Sequence, residues 1–199
     1  MNQDPLVLAC GPRPGGNSDL AAKLLVQGLE RAGVAACLVY LRETEIRPCL
    51  GCQGCAQAPG QACALKGLDE AEELFGRILG ARLVFFTSPI YFYHFPGNFK
   101  CFIDRAQRYY QARLAGDPAL NPEKPRQGLA CLVAGRERGE KLFTGALLTL
   151  RYFLWALGMV PGQALCLPGL DGPRDLAADQ AAQDRIKDYA ALAWRDQAR

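Results

Sequence analysis

The segment PLVLACGPRPGGNSDLAAKLLVQGLERA, residues 5–32, decides the fold. It opens on a short apolar run, PLVLAC at 5–10, which has the length of a strand and is bounded by Gly11. A glycine-rich turn follows. From residue 18 to 32, Leu20, Leu24, Leu25 and Leu29 return at helical spacing and define one apolar face. Strand, glycine turn and amphipathic helix make the first half of a parallel β-α unit.

The rest of the chain repeats the alternation. ACLVYL at 36–41 reads as a second strand, and DEAEELFGRILG at 69–80 as a helix with acidic residues in its first turn. RLVFFTSP at 82–89 is a third strand, ended by Ser88-Pro89. A helix over 97–113 carries Phe99, Phe102, Ile103 and Ala106. GLACLVAG at 128–135 is a fourth strand, 139–158 a long apolar helix, QALCLPG at 163–169 a fifth strand, and 175–196 a final amphipathic helix. Strands that are apolar throughout, rather than alternating, fit a parallel sheet buried on both faces. The expected architecture is α/β: a flavodoxin-like, doubly wound, five-stranded parallel sheet of order 2-1-3-4-5. It forms the middle of three layers, and one domain spans 1–199. Ligands of such sheets bind beyond the carboxyl ends of the strands, at the switch point between strands 1 and 3.

Composition narrows the function. The 199 residues suit one domain, and 50% hydrophobic content supplies its core. The 23 basic and 20 acidic residues leave a net charge of +3 with no block of like charge, which gives nucleic-acid or membrane-surface binding no support. MNQDPLVLACG lacks the basic region and long apolar core of a signal peptide. The least charged stretch, 152–170, contains Gly158, Pro161, Gly162, Pro168 and Gly169 and cannot be one spanning helix. A soluble, cytoplasmic protein is expected, in which the nine cysteines are reduced thiols or metal ligands. His94 is the only histidine, which argues against a His-based metal site and a Ser-His-Asp hydrolase.

Three loops at the carboxyl ends should carry the chemistry. CGPRPGGNSDL, residues 10–20, is neither a Walker A loop nor G-x-G-x-x-G. Its glycines allow close backbone approach, Asn17 or Ser18 is expected to cap the helix, and the free amides there favour a dianionic phosphate to which Arg13 can add a contact. SPIYFYHFPGNFKCFIDR, residues 88–105, places Tyr91, Phe92, Tyr93 and Phe95 in an irregular stretch suited to a flat ring, while Phe99, Phe102 and Ile103 have the spacing of a helix core face. VAGRERGEK, residues 133–141, is a glycine-flanked charged loop that could fold over the outer part of a cofactor.

Four cysteines stand apart from this scheme. Cys49, Cys52, Cys55 and Cys63 follow the spacing C-x2-C-x2-C-x7-C. Closely spaced thiolates on one loop can wrap a cubane iron–sulfur cluster. The bacterial ferredoxin run has a shorter final gap followed by Pro, whereas Ala64 follows here, which leaves room for all four to hold one cluster. A four-cysteine zinc site and a metal-free reactive or redox-sensing thiol group remain open beside it. Cys37, Cys131 and Cys166 fall in apolar strands as expected buried hydrophobes, Cys101 lies in a helix, and Cys10 is nearer the cofactor loop.

Taken together, the loops and cysteines resemble the NADPH-dependent FMN reductase-like branch of the flavodoxin superfamily, and within it the iron–sulfur flavoproteins. Cys10 to Ser18 is similar to the family's G-S-P-R-x-G-G-N-[ST] at Pro12, Arg13, Gly15, Gly16, Asn17 and Ser18, with Gly11 in place of Ser. The second loop is similar to [ST]-P-x-Y-x(7)-L-K-x-F-I-D-R at Ser88, Pro89, Tyr91, Lys100, Phe102, Ile103, Asp104 and Arg105, with Phe99 in place of Leu. The resemblance implies FMN, with its phosphate on Gly11, Pro12, Arg13, Gly16, Asn17 and Ser18. Its isoalloxazine would lie against Ser88, Pro89, Ile90, Tyr91 and Phe92, with Gly135 close to the ring. It further implies a [4Fe–4S] cluster on Cys49, Cys52, Cys55 and Cys63, NAD(P)H as a reductant, and a homodimer or homotetramer. The electron acceptor would be a redox partner protein or a small molecule, and no protein acid–base residue is required. The alternatives are an NAD(P)H-dependent FMN or quinone reductase without a cluster, and a non-enzymatic thiol or metal sensor on the same scaffold.

Overall fold

The computed structural model describes residues 4–197. The chain runs through β1 (Leu6–Ala9), α1 (Asn17–Arg31), β2 (Cys37–Tyr40), α2 (Gly54–Gln57), α3 (Ala71–Gly80), β3 (Val84–Pro89), α4 (Gly97–Arg105) and α5 (Gln107–Leu114). It continues through β4 (Arg126–Val133), α6 (Thr144–Ala156), β5 (Met159–Pro161), β6 (Leu165–Leu167), α7 (Asp175–Ala178) and α8 (Gln180–Gln197). Every strand pairing is parallel, in the order β2-β1-β3-β4-β5, with β6 also on β4. The expected order 2-1-3-4-5 holds. Leu6 stands beside both Cys37 and Val84 in register, so β1 and β3 are the inner strands that flank the switch point.

Period-two alternation divides the core. Leu6, Leu8, Val84 and Phe86 point to one side, where α3, α4, α5 and α6 deliver Phe75, Phe99, Phe102, Tyr109 and Phe153. Val7, Ala9 and Phe85 point to the other, under α1 and α8. Phe75 and Phe102 stack with centroids 4.3 Å apart. At full burial each such ring contributes roughly 1.5–3 kcal/mol.

Four local features depart from the sequence expectation. The fifth strand is two short pieces on β4, because Pro161 has no amide to donate and Gly162 turns to bond the Gly128 carbonyl instead (2.9 Å). The helix expected over 97–113 breaks at Ala106 into α4 and α5. The last helix breaks at Asp179, whose carboxylate accepts the Ala182 amide (2.9 Å) and starts α8 afresh. Cys37 is exposed, since β2 is the edge of the sheet, and its sulfur accepts from Arg77 (2.9 Å). Cys131 is fully buried, and burial pushes its thiol up to about 12. No helix among the described residues is long and apolar enough to cross a membrane.

Gly28 sets the packing of α1 on α8. A Cβ there would overlap the Lys187 carbonyl oxygen and stand 2.9 Å from Ala190 Cβ, so only a bare backbone allows the approach. Gly28→Val should therefore lower the unfolding free energy by about 1–3 kcal/mol. Urea denaturation with an unchanged midpoint would refute this packing.

Candidate functional site

The turn after β1 is shaped by buried polar bonds. The Gly15 amide donates to Asp19 Oδ2 (2.9 Å), and Asp19, 2% exposed, is paired at 3.0 Å with Arg42 from the turn after β2. Gly15 has φ of 69°, which this bend needs and glycine adopts freely. The N-cap of α1 is Gly16, with no side-chain cap. Neither expected capper caps. The side-chain amide of Asn17 donates to the carbonyls of Leu170 (3.1 Å) and Gly172 (2.8 Å), and its oxygen accepts from the Leu176 amide (3.3 Å). Ser18 Oγ sits above Gly11, where a Cβ would collide with it. Among the described residues, the Asn17 and Ser18 amides have no protein acceptor. They carry the positive end of a 15-residue helix.

These amides face a cleft of ≈ 190 Å³ lined by Pro12, Arg13, Gly16, Asn17, Ser18, Pro89, Ile90, Tyr91, Val133, Gly135 and, from a segment not singled out in the sequence, Leu170 and Asp171. It adjoins a second cavity of ≈ 490 Å³ that shares Ile90, Gly135 and Asp171 and adds Phe92, Tyr93, Arg136 and Leu142. Of the expected cofactor residues, Gly11 lies beneath the cleft and not on its wall. Ser88 is fully buried and turns its hydroxyl back onto the Pro89 carbonyl (2.9 Å), so it does not line the cleft. Asp171 follows β6 at the same end of the sheet. The rule that drew attention to the first three loops points equally to this one. Its carboxylate occupies the space above Gly135, where a Cβ would overlap it.

The aromatic loop is a tight hairpin. Tyr91 and His94 exchange both backbone hydrogen bonds (2.9 Å each), and the two residues between them, Phe92 and Tyr93, have φ of 51° and 65°. Left-handed backbone at two consecutive aromatic residues is unfavourable and marks stored strain. Phe92 is wholly exposed at the tip. His94 Nε2 anchors the base to Thr149 Oγ1 (2.8 Å), and Arg136 donates to the Tyr93 hydroxyl (3.1 Å).

The cysteine loop forms a separate centre. Cys49, Cys52, Cys55 and Cys63 all line one cavity of ≈ 320 Å³, closed on the protein side by Arg105, Gln107, Arg108 and Gln111. Among the described residues no three metal-ligating side chains converge as a single ion would require. Burial pushes the Cys55 thiol up, and the charges of Cys63, Cys49 and Cys52 add to it. Cys49 and Cys52 are exposed. The loop is fastened by Arg105, which pairs with Asp69 and donates to the Arg47 carbonyl (3.1 Å), and by Arg108, which donates to the Gln61 carbonyl (3.2 Å) and pairs with Glu72 (3.0 Å). Burial opposes ionisation of Asp69, but the bonds from Arg105 and from the Arg47 and Ala71 amides outweigh it and hold the carboxyl below its ordinary value. A lowered folded value means that the contribution to stability is present at neutral pH and is lost only as pH falls through that value.

Comparison with known proteins places this geometry. Residues 5–165 match the family described as NADPH-dependent FMN reductase, and the chain belongs to that family. An iron–sulfur flavoprotein of Methanocaldococcus jannaschii is 26% identical over 96 residues, 48% of each chain. A Bacillus subtilis protein named as an NAD(P)H-dependent FMN-containing oxidoreductase is 32% identical over 99 residues, 50% of this chain and 49% of that one. The matches thus span about half the length of these relatives. The fold is that of an NAD(P)H:quinone oxidoreductase from Methanothermobacter marburgensis, with a TM-score of 0.69 at 18% identity over 98% of this chain and 96% of that one. It is also that of an FMN-dependent NADH-azoreductase from Bacillus anthracis, with a TM-score of 0.65 at 15% identity over 96% and 99%.

The strained hairpin yields a test. Replacing Phe92-Tyr93 with Asn-Gly, which suits two left-handed positions, should raise the unfolding free energy by about 1–2 kcal/mol. Equal or lower stability by urea titration would show that the turn is not strained.

Proposed function

We propose that this chain is a flavin-dependent oxidoreductase that binds FMN across the two adjoining cavities and exchanges electrons with a [4Fe–4S] cluster on Cys49, Cys52, Cys55 and Cys63. The observation that carries the flavin is the pair of unpartnered amides at the start of α1, opening into a cleft beside an apolar loop. The residues suit the cofactor. The Asn17 and Ser18 amides and Arg13 would take the phosphate, with Gly11 beneath allowing Ser18 to sit low. Asp171 offers acceptors to sugar-like hydroxyls, and Ile90, Tyr91 and Phe92 supply an apolar wall for the ring. Bound flavin supplies exchange of electrons in pairs with a nicotinamide and singly with a one-electron partner.

The protein's own part is positional. Arg42 neutralises Asp19, so the carboxylate bonded to the phosphate turn does not repel an anion. Asn17 ties the turn to residues 170–176 and fixes the cleft's width. The ring end is left open at Phe92, which allows a second planar molecule to enter. NAD(P)H is the proposed donor. The acceptor is a partner protein or a small molecule, and the assembly a homodimer or homotetramer.

For the cluster, the chemistry of the donor set fits: four thiols share one cavity wall within a single loop, away from the flavin cleft. A second reading, a reductase of FMN or quinones with metal-free thiols, is favoured by the exposure of Cys49 and Cys52. The absorbance spectrum and iron content of protein purified without oxygen separate them. Flavin bands with about four irons per chain support the cluster, and flavin bands without iron support the plain reductase.

Two variants sharpen the assignment. Asn17→Asp sets a carboxylate against two carbonyl oxygens and beside the phosphate, and should weaken FMN binding at least tenfold, about 1.4 kcal/mol. Unchanged affinity by flavin fluorescence titration would move the phosphate elsewhere. Cys63→Ser should lose reconstituted iron while retaining FMN, and full iron retention would remove Cys63 from the ligand set.

A further inference from the structure

Arg105 ends α4 with 2% of its surface exposed. Its Nη1 is committed to the Asp69 carboxylate and the Arg47 carbonyl. Its Nε and Nη2 are buried and, among the described residues, have no hydrogen-bond partner. Unpaired buried donors are costly, and a guanidinium presents its donors in a rigid fork. Arg105 is among the residues that line the cavity of the four cysteines. Burial works against the charged form of Arg105; Asp69 first, and then Cys63, outweigh it.

The neighbouring cation provides a control. Arg108 lines the same cavity, yet its Nε serves the Gln61 carbonyl and its Nη1 serves Glu72. Its role is satisfied by fastening the loop. Arg105 fastens the loop with one nitrogen, its Nε and Nη2 stay unpaired, and Cys63 lies near enough to act on its charge.

We propose that Arg105 donates its two unpaired N–H groups to sulfur atoms of a cluster held by Cys49, Cys52, Cys55 and Cys63, and thereby raises the cluster's reduction potential. This rests on the cluster reading above. Reduction adds one electron to an already anionic group, so N–H···S bonds strengthen in the reduced state and favour it. Arg105 is thus a tuning residue and not a ligand. Because Asp69 balances its charge, the effect belongs to the hydrogen bonds more than to net charge.

The test uses the full chain, reconstituted anaerobically. In the double variant Arg105→Met with Asp69→Leu, the buried pair gives way to apolar side chains of similar size and the net charge is unchanged. Because the pair also fastens the cysteine loop, only the iron-loaded fraction of this variant is read. Its cluster midpoint, read by redox titration monitored by electron paramagnetic resonance, should fall by about 59 mV, a tenfold change in the one-electron equilibrium. Should the double variant fail to fold, the parent itself decides. Grown with 15N-arginine and reduced, it should show weakly coupled 15N in pulsed electron paramagnetic resonance. An unmoved midpoint, or no 15N coupling in a loaded parent, overturns the role of Arg105 and leaves the cluster reading standing. A parent that takes up no iron overturns both.

Discussion

The buried ion pair of Arg105 with Asp69 joins three segments: the end of α4, the approach to α3, and the stretch before the first cysteine. Both side chains are almost wholly shielded from water. Losing one partner of such a pair costs about 3–5 kcal/mol, a large share of the roughly 5–15 kcal/mol that holds a domain together. The Arg47 amide also donates to Asp69 (2.9 Å), so the carboxylate grips the loop from its backbone as well. With the pair in place, a loop with little apolar content of its own acquires a fixed floor. Without it, Cys49 to Cys63 would be a long, weakly anchored excursion.

The layered fold was legible because its signals are local and repetitive. Leu20, Leu24, Leu25 and Leu29 mark one helix face, and the unbroken apolar runs at 82–89 and 128–135 mark buried parallel strands. The breaks were harder to read. Ala106 and Asp179 interrupt helices without a glycine or proline there to announce it, and the fifth strand divides because of what Gly162 bonds on its neighbour. In the candidate site, the glycine turn and Pro89 to Phe92 were readable from composition and from their place after strands. The pairs Asp19–Arg42, Arg105–Asp69 and Asn17–Gly172 were not. A polar contact between residues far apart in sequence leaves no periodic trace, and each partner alone looks like an ordinary surface residue.

The two proposed centres use the same device. At the flavin cleft, the protein leaves donors open by withholding a side-chain cap from α1 and by turning Asn17 aside. At the cysteine cavity, it leaves donors open by using only part of one buried guanidinium. In both places the fold accepts unpaired N–H groups, which are costly unless something anionic arrives. The strained Phe92-Tyr93 turn belongs to the same pattern, with stability given up beside the cleft proposed for the flavin.

The tether from Asn17 to Leu170, Gly172 and Leu176 spans up to 159 residues of chain. It reaches beyond residue 165, where the family match ends. The proposed phosphate cradle is therefore among the last parts of the molecule that can form as the polypeptide leaves the ribosome, although its glycines are among the first residues made. Strands β1 to β4 can pair while the turn after β1 is still unsupported. Cofactor capture is accordingly deferred until synthesis has passed the loop after β6, and a nascent chain stalled before that loop would carry a nearly complete sheet with no firm hold on a flavin.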